Sequence, residues 1–81
     1  MGSQALLEYL ARSLVDHPER VKVEEFEEDG DLVYEITVAD DDLGRVIGKG
    51  GRVANAIRTI AKAAATAHDR GRVMVEIVED D

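Results

Sequence analysis

The run Gly48-Lys49-Gly50-Gly51 separates two stretches of helical character, and nothing else in these 81 residues limits the fold so tightly. A corner that joins two helices within four residues needs backbone at positive φ, which glycine reaches at the least steric cost. The loop feeds the N-terminus of the following helix, where free N–H groups and the macrodipole favour an anion. Lys49 adds a mobile positive charge, and Arg45 and Arg52 flank it. The plainer alternative is a turn whose neighbouring charges are merely solvated.

Periodicity supplies the elements on either side. Residues 4–15 carry Leu6, Leu10 and Leu14 at i, i+4, i+8, with Leu7 beside them and Glu8–Arg12 as an outward ion pair, which predicts an amphipathic helix. Ser3 is its expected cap, and His17-Pro18 its stop. Val21–Glu28 predicts a strand in which Phe26 falls out of phase with Val21 and Val23. Asp29-Gly30-Asp31 has the composition of a hairpin turn. Leu32–Val38 is the clearest strand, with Leu32, Tyr34, Ile36 and Val38 on one face. Asp40-Asp41-Asp42 is expected to cap a short helix over Leu43–Ile47. A long alanine-rich helix is expected from Arg52 to about His68, with Val53, Ala56, Ile57, Ile60, Ala64 and Ala67 on one face and Gly71 as its stop. Arg72–Val78 predicts a last strand.

The order is therefore α-β-β-α-α-β. Some thirty residues and two helices join the second and third strands, which permits a crossover connection. The fold class that follows is α+β: a three-stranded mixed sheet with the helices packed on one face, as a single domain over residues 1–81.

Charge is the feature that argues against itself. The net charge of −8 is wrong for a typical phosphate binder. Its distribution is uneven, however. Residues 1–42 hold thirteen acids and three bases, whereas residues 43–72 hold seven bases and only Asp69 as an acid. Screening over roughly 8–10 Å means that a phosphate in contact feels the local patch more than distant acids. With Val46 and Ile47 as an apolar shelf for unstacked bases, the loop reads as a phosphate grip beside a greasy surface.

Other chemistries fail on residue count. Without cysteine there is neither a disulfide nor a thiolate metal site. Placing Gly30 at the glycine of a calcium loop puts Ile36 where a bidentate glutamate is needed. Gly48-Lys49 lacks the Ser/Thr and the glycine spacing of a P-loop, and a dinucleotide fingerprint starting at Gly48 would need glycine where Val53 stands. His17 and His68 have no evident partner and are expected at the surface, while Tyr9 and Tyr34 are expected in the core. No nucleophile–base pair can be assembled, so neither an enzyme nor a cofactor is expected. No apolar run approaches the roughly 20 residues of a membrane span, and a cytoplasmic protein is the expectation.

The run Ile47-Gly48-Lys49-Gly50-Gly51-Arg52-Val53-Ala54-Asn55-Ala56-Ile57 resembles the KH-domain signature, a G-x-x-G loop between two helices. The element order resembles the type II arrangement, and the chain as a whole is similar to stand-alone bacterial KH proteins of the KhpA kind. That resemblance implies a cleft clamping about four nucleotides of single-stranded RNA. Gly48 and Gly51 would shape the loop, Lys49 and Gly50 would face the sugar–phosphate backbone, and Ile47 would line the base groove. It implies a role as an RNA chaperone or post-transcriptional regulator. It also implies homodimers, and pairing with a second KH protein of the Jag (KhpB) type. A different reading keeps the KH fold but makes dimerisation or protein docking its main task, using the small residues Ala61, Ala63, Ala64, Ala65 and Ala67 for close helix approach.

Overall fold

Asp29 and Gly30 both sit at positive φ, 53° and 86°, the geometry by which a two-residue hairpin matches the twist of its strands. The turn joins β1 (Lys22–Glu28) to β2 (Asp31–Ala39) as an antiparallel pair, with Glu28 opposite Asp31 and Val23 opposite Ile36. β3 (Val73–Asp80) lies parallel to the other side of β2, with Val75 beside Tyr34 and Ile77 beside Ile36. A parallel neighbour cannot be reached by a tight turn. The chain between β2 and β3 accordingly carries α2 (Leu43–Ile47) and α3 (Arg52–Ala64) across the sheet, and α1 (Ser3–Leu14) precedes β1. The computed structural model describes residues 3–65 and 72–80; α3 is described to Ala64, and the expected helix end at about His68 and stop at Gly71 lie outside the described residues.

All three helices cover one face of the sheet, as the alternation of β2 requires. Tyr34, Ile36 and Val38 are fully buried against Leu7 and Ala11 of α1, Val46 of α2, and Ile57 and Ala61 of α3. The predicted α+β architecture and mixed sheet are those observed.

The helix faces differ from the apolar stripes read in the sequence. In α1 the buried residues are Leu7 and Ala11, Leu14 is exposed, and Tyr9 is 64% exposed instead of buried. Two residues turn a helix by about 200°, so seating Leu7 on the sheet sends Tyr9 to solvent. Ser3 lies in the helix rather than capping it, and its hydroxyl donates to the Ala64 carbonyl at 3.3 Å. In α3 the buried line is Ala54, Ile57 and Ala61, while Ala56, Ile60 and Ala64 are exposed. Alanine carries little hydrophobic weight in a sequence pattern, yet its small side chain lets the helix backbone settle close to the sheet.

Candidate nucleic-acid interface

The glycine loop is a 3-10 turn, Lys49–Gly51, set between α2 and α3. Gly48, Gly50 and Gly51 all have positive φ, 77°, 65° and 81°. Gly48 is the most constrained, because a Cβ there would stand 2.5 Å from Val53 Cγ2 and 2.9 Å from the Val53 nitrogen. Gly51 is left-handed at the N-cap of α3, the conformation glycine holds most cheaply. The Gly48 N–H donates to Gly44 O at 2.8 Å and the Gly51 N–H to Gly48 O at 3.1 Å. The N–H groups of Lys49 and Gly50 have no hydrogen-bond partner among the described residues. Two unpartnered donors therefore meet the positive end of a 13-residue helix, with the Lys49 side chain exposed beside them. This arrangement can take a phosphate oxygen without displacing any internal bond.

Of the other residues expected at this site, Ile47 is partly exposed next to the loop and Arg52 is exposed at the first position of α3. Val46 is a correction. It is fully buried in the core, because a helix of five residues must use its inward side chains, Val46 with Leu43 beside it, to anchor itself to the sheet. Of Val46 and Ile47, only Ile47 is left with apolar surface at the loop. Arg45 is exposed but not free: its Nη2 lies 3.1 Å from Asp16 Oδ2 and its Nε 4.0 Å from Asp42 Oδ1. No ion pair among the described residues involves Lys49 or Arg52.

Asp42, expected only as part of a helix cap, has a role the sequence did not show. The aspartate run forms a 3-10 turn, Asp40–Asp42, and makes no side-chain cap to α2. Asp42 is 1% exposed and turns instead toward the segment after α1. It accepts from the N–H groups of Asp16 (3.1 Å) and His17 (3.0 Å), and its Oδ2 lies 3.0 Å from His17 Nδ1. The carboxylate thus ties the α1–β1 connection to the start of the loop-bearing hairpin, and His17 is not the partnerless surface residue that was expected. Burial pushes the Asp42 carboxyl up, but the N–H bonds from Asp16 and His17 and the His17 ring more than offset this, leaving it below the ordinary carboxylate range. The bond to Asp42 raises His17 above the usual imidazole value against a smaller opposing effect of burial, and the charges of Asp42, Glu19 and Asp41 add to the rise. Three adjacent aspartates look alike in sequence, and only packing decides which one is taken inside.

Residues 4–77 match the family described as KhpA/KhpB, KH domain. The chain is 51% identical over 73 residues to the RNA-binding protein KhpA of Clostridium acetobutylicum, covering 90% of this chain and 96% of that one. It is 44% identical over 75 residues to the RNA-binding protein KhpA of Oceanobacillus iheyensis, covering 93% of this chain and 99% of that one. These relatives are named for RNA binding and not for a catalytic activity. Among solved structures, Era of Aquifex aeolicus superposes with a TM-score of 0.63 at 21% identity, over 96% of this chain and 30% of the Era chain. A second Era structure, in complex with MgGDPNP and a segment of 16S ribosomal RNA, matches equally well. The Era likeness speaks to the fold alone. Nearly full-length matches at this identity, on a mixed three-stranded sheet whose α2 and α3 are joined by the G-x-x-G run, place the chain in the bacterial KhpA/KhpB family of KH-domain proteins.

Proposed function

We propose that this protein binds single-stranded RNA, with the loop at residues 48–51 on the sugar–phosphate backbone and Ile47 against the bases. The observation that carries the reading is the pair of unpartnered N–H groups on Lys49 and Gly50 at the head of α3, beside the exposed Lys49 ammonium. The names of the KhpA relatives support it. Arg52 adds a second cation along the strand, and Arg45 becomes available once its pair with Asp16 opens. The chain acts as one KH unit in the bacterial cytoplasm, as an RNA chaperone or post-transcriptional regulator, without catalysis.

Fluorescence anisotropy of a labelled random single-stranded RNA tests this. Two or three phosphate contacts predict roughly tenfold weaker binding between about 50 and 200 mM salt. The double change Lys49→Asp with Gly50→Asp should abolish binding while circular dichroism stays native. Equal binding by native and doubly substituted protein would make the loop structural.

A second reading has its own observation. Ile60 is 38% exposed on α3, with Ala56 and Ala64 exposed one turn to either side. A stripe of one large and two small apolar residues fits a second helix, and supports homodimerisation or pairing with a KhpB-type KH protein. Two clefts in a dimer would raise the affinity for longer RNA through effective concentration. Ile60→Lys should shift sedimentation from dimer to monomer, and an unchanged sedimentation coefficient would remove this reading.

A further inference from the structure

The face of the sheet turned away from the helices is not a uniform polar surface. The register places Phe26, Val33 and Met74 side by side across β1, β2 and β3. Val33 is only 5% exposed although it lies on the open face, whereas Phe26 and Met74 on either side of it are 43% and 40% exposed. One row away, Glu24, Glu35 and Glu76 stand in register across the same three strands. Like charges directly opposite one another weaken a sheet. No cation among the described residues is paired with any of the three. Lys22 is the single base among the strand positions of this face.

An apolar row beside an unneutralised carboxylate row has a specific complement. Nucleic acid is repelled by it, and a second copy of the same face would set glutamates against glutamates. We propose that the open sheet face docks a basic, amphipathic segment of a partner protein, with an apolar side chain on Phe26, Val33 and Met74 and an arginine or lysine over Glu24, Glu35 and Glu76. Neighbouring rows on one face of a strand are two residues apart, about 7 Å. The segment therefore presents an apolar residue and a cation at i and i+2 of an extended strand, or at i and i+4 of a helix. The glycine loop belongs to the helical layer on the other side of the sheet, so RNA and the basic segment can be held at once.

The test uses a fluorescein-labelled 12-residue peptide of the repeat Leu-Ser-Arg-Ser, which in extended form sets leucine and arginine alternately on one face. Saturable binding to the native chain is expected, with none by the peptide carrying Glu for Arg. Glu35→Lys, Phe26→Ser and Met74→Ser should each weaken binding at least tenfold with circular dichroism unchanged. Asp41→Lys makes the same change in net charge away from this face and should leave affinity within twofold, as should a saturating uridine oligonucleotide. Equal loss with Asp41→Lys would reduce the effect to bulk charge attraction, and no binding by the native chain would remove it. Displacement of the peptide by the RNA would give the face to nucleic acid. Self-association relieved by Phe26→Ser in sedimentation equilibrium would give it to a second copy. Each of these outcomes overturns the proposal.

Discussion

The two faces of the sheet are built from alternate residues of the same three strands, and they could hardly be less alike. Inward, Tyr34, Ile36 and Val38 disappear under three helices, and the glycine loop with its free donors is carried on that helical layer. Outward, Glu24, Glu35 and Glu76 run across the strands beside an apolar row. The difference teaches that a net charge of −8 says little about any one face of a chain this size. Lys49 and Arg52 stand exposed at the glycine loop, whereas Glu24, Glu28, Asp31, Glu35, Glu76 and Asp80 share the far side of the sheet with Lys22 as its single strand base. On the proposed function, a phosphate at the loop would feel the local cations first, and the distant acids would suppress loose, unspecific association.

The largest effects that would sharpen this contrast lie on the inward side. Gly48→Ala forces a side chain into a glycine-only conformation and against Val53, so a loss of about 2–5 kcal/mol is expected in urea unfolding. Gly50→Ala, at positive φ but with nothing within 4 Å of the added Cβ, should cost only about 1–2 kcal/mol. If the two cost the same, the loop is held by something other than its contact with Val53. The two sheet faces should also separate: Ile36→Ala is expected to cost about 2–5 kcal/mol, and Phe26→Ala about 1 kcal/mol or less. A similar cost for both would mean that the outward face is more firmly covered than its exposure indicates.

Smaller effects concern the cations and the clamp. Removing one phosphate contact should lower the salt slope of RNA binding by about 0.7. Lys49→Ala should show that loss in full, and Arg45→Ala only part of it, since Arg45 would have to give up its pair with Asp16 to reach a phosphate. The smallest expected effect is on pH dependence. The folded pKa of His17 lies above its ordinary 6.5, so its stabilising share is complete below that value and fades as pH rises through the raised one. Asp42, held below its ordinary 3.8, loses its share only as pH falls through the lowered value. Native protein should therefore gain most over His17→Gln at about pH 5.5 and least at about pH 8.5, read as the shift in urea midpoint. A constant difference across that range would mean that the His17 ring packs without titrating.

Much of this molecule could be read from residue order alone. The Asp29-Gly30 turn points to a hairpin, the spacing between β2 and β3 permits a crossover, and strand alternation in β2 points to a helical layer on one face, all of which the structure contains. The glycines at 48, 50 and 51 mark a helix corner because few other residues tolerate positive φ there. These are local constraints, set by steric limits that each residue carries with it. What only the tertiary structure decided is which of several similar residues goes inside. It buried Leu7 and exposed Tyr9, buried Val46 and exposed Ile47, and chose Asp42 from three aspartates to hold the α1–β1 connection. It also aligned three glutamates that are far apart in the chain into one row. Those outcomes depend on how elements dock and register against one another, a property of pairs of surfaces that no single segment encodes.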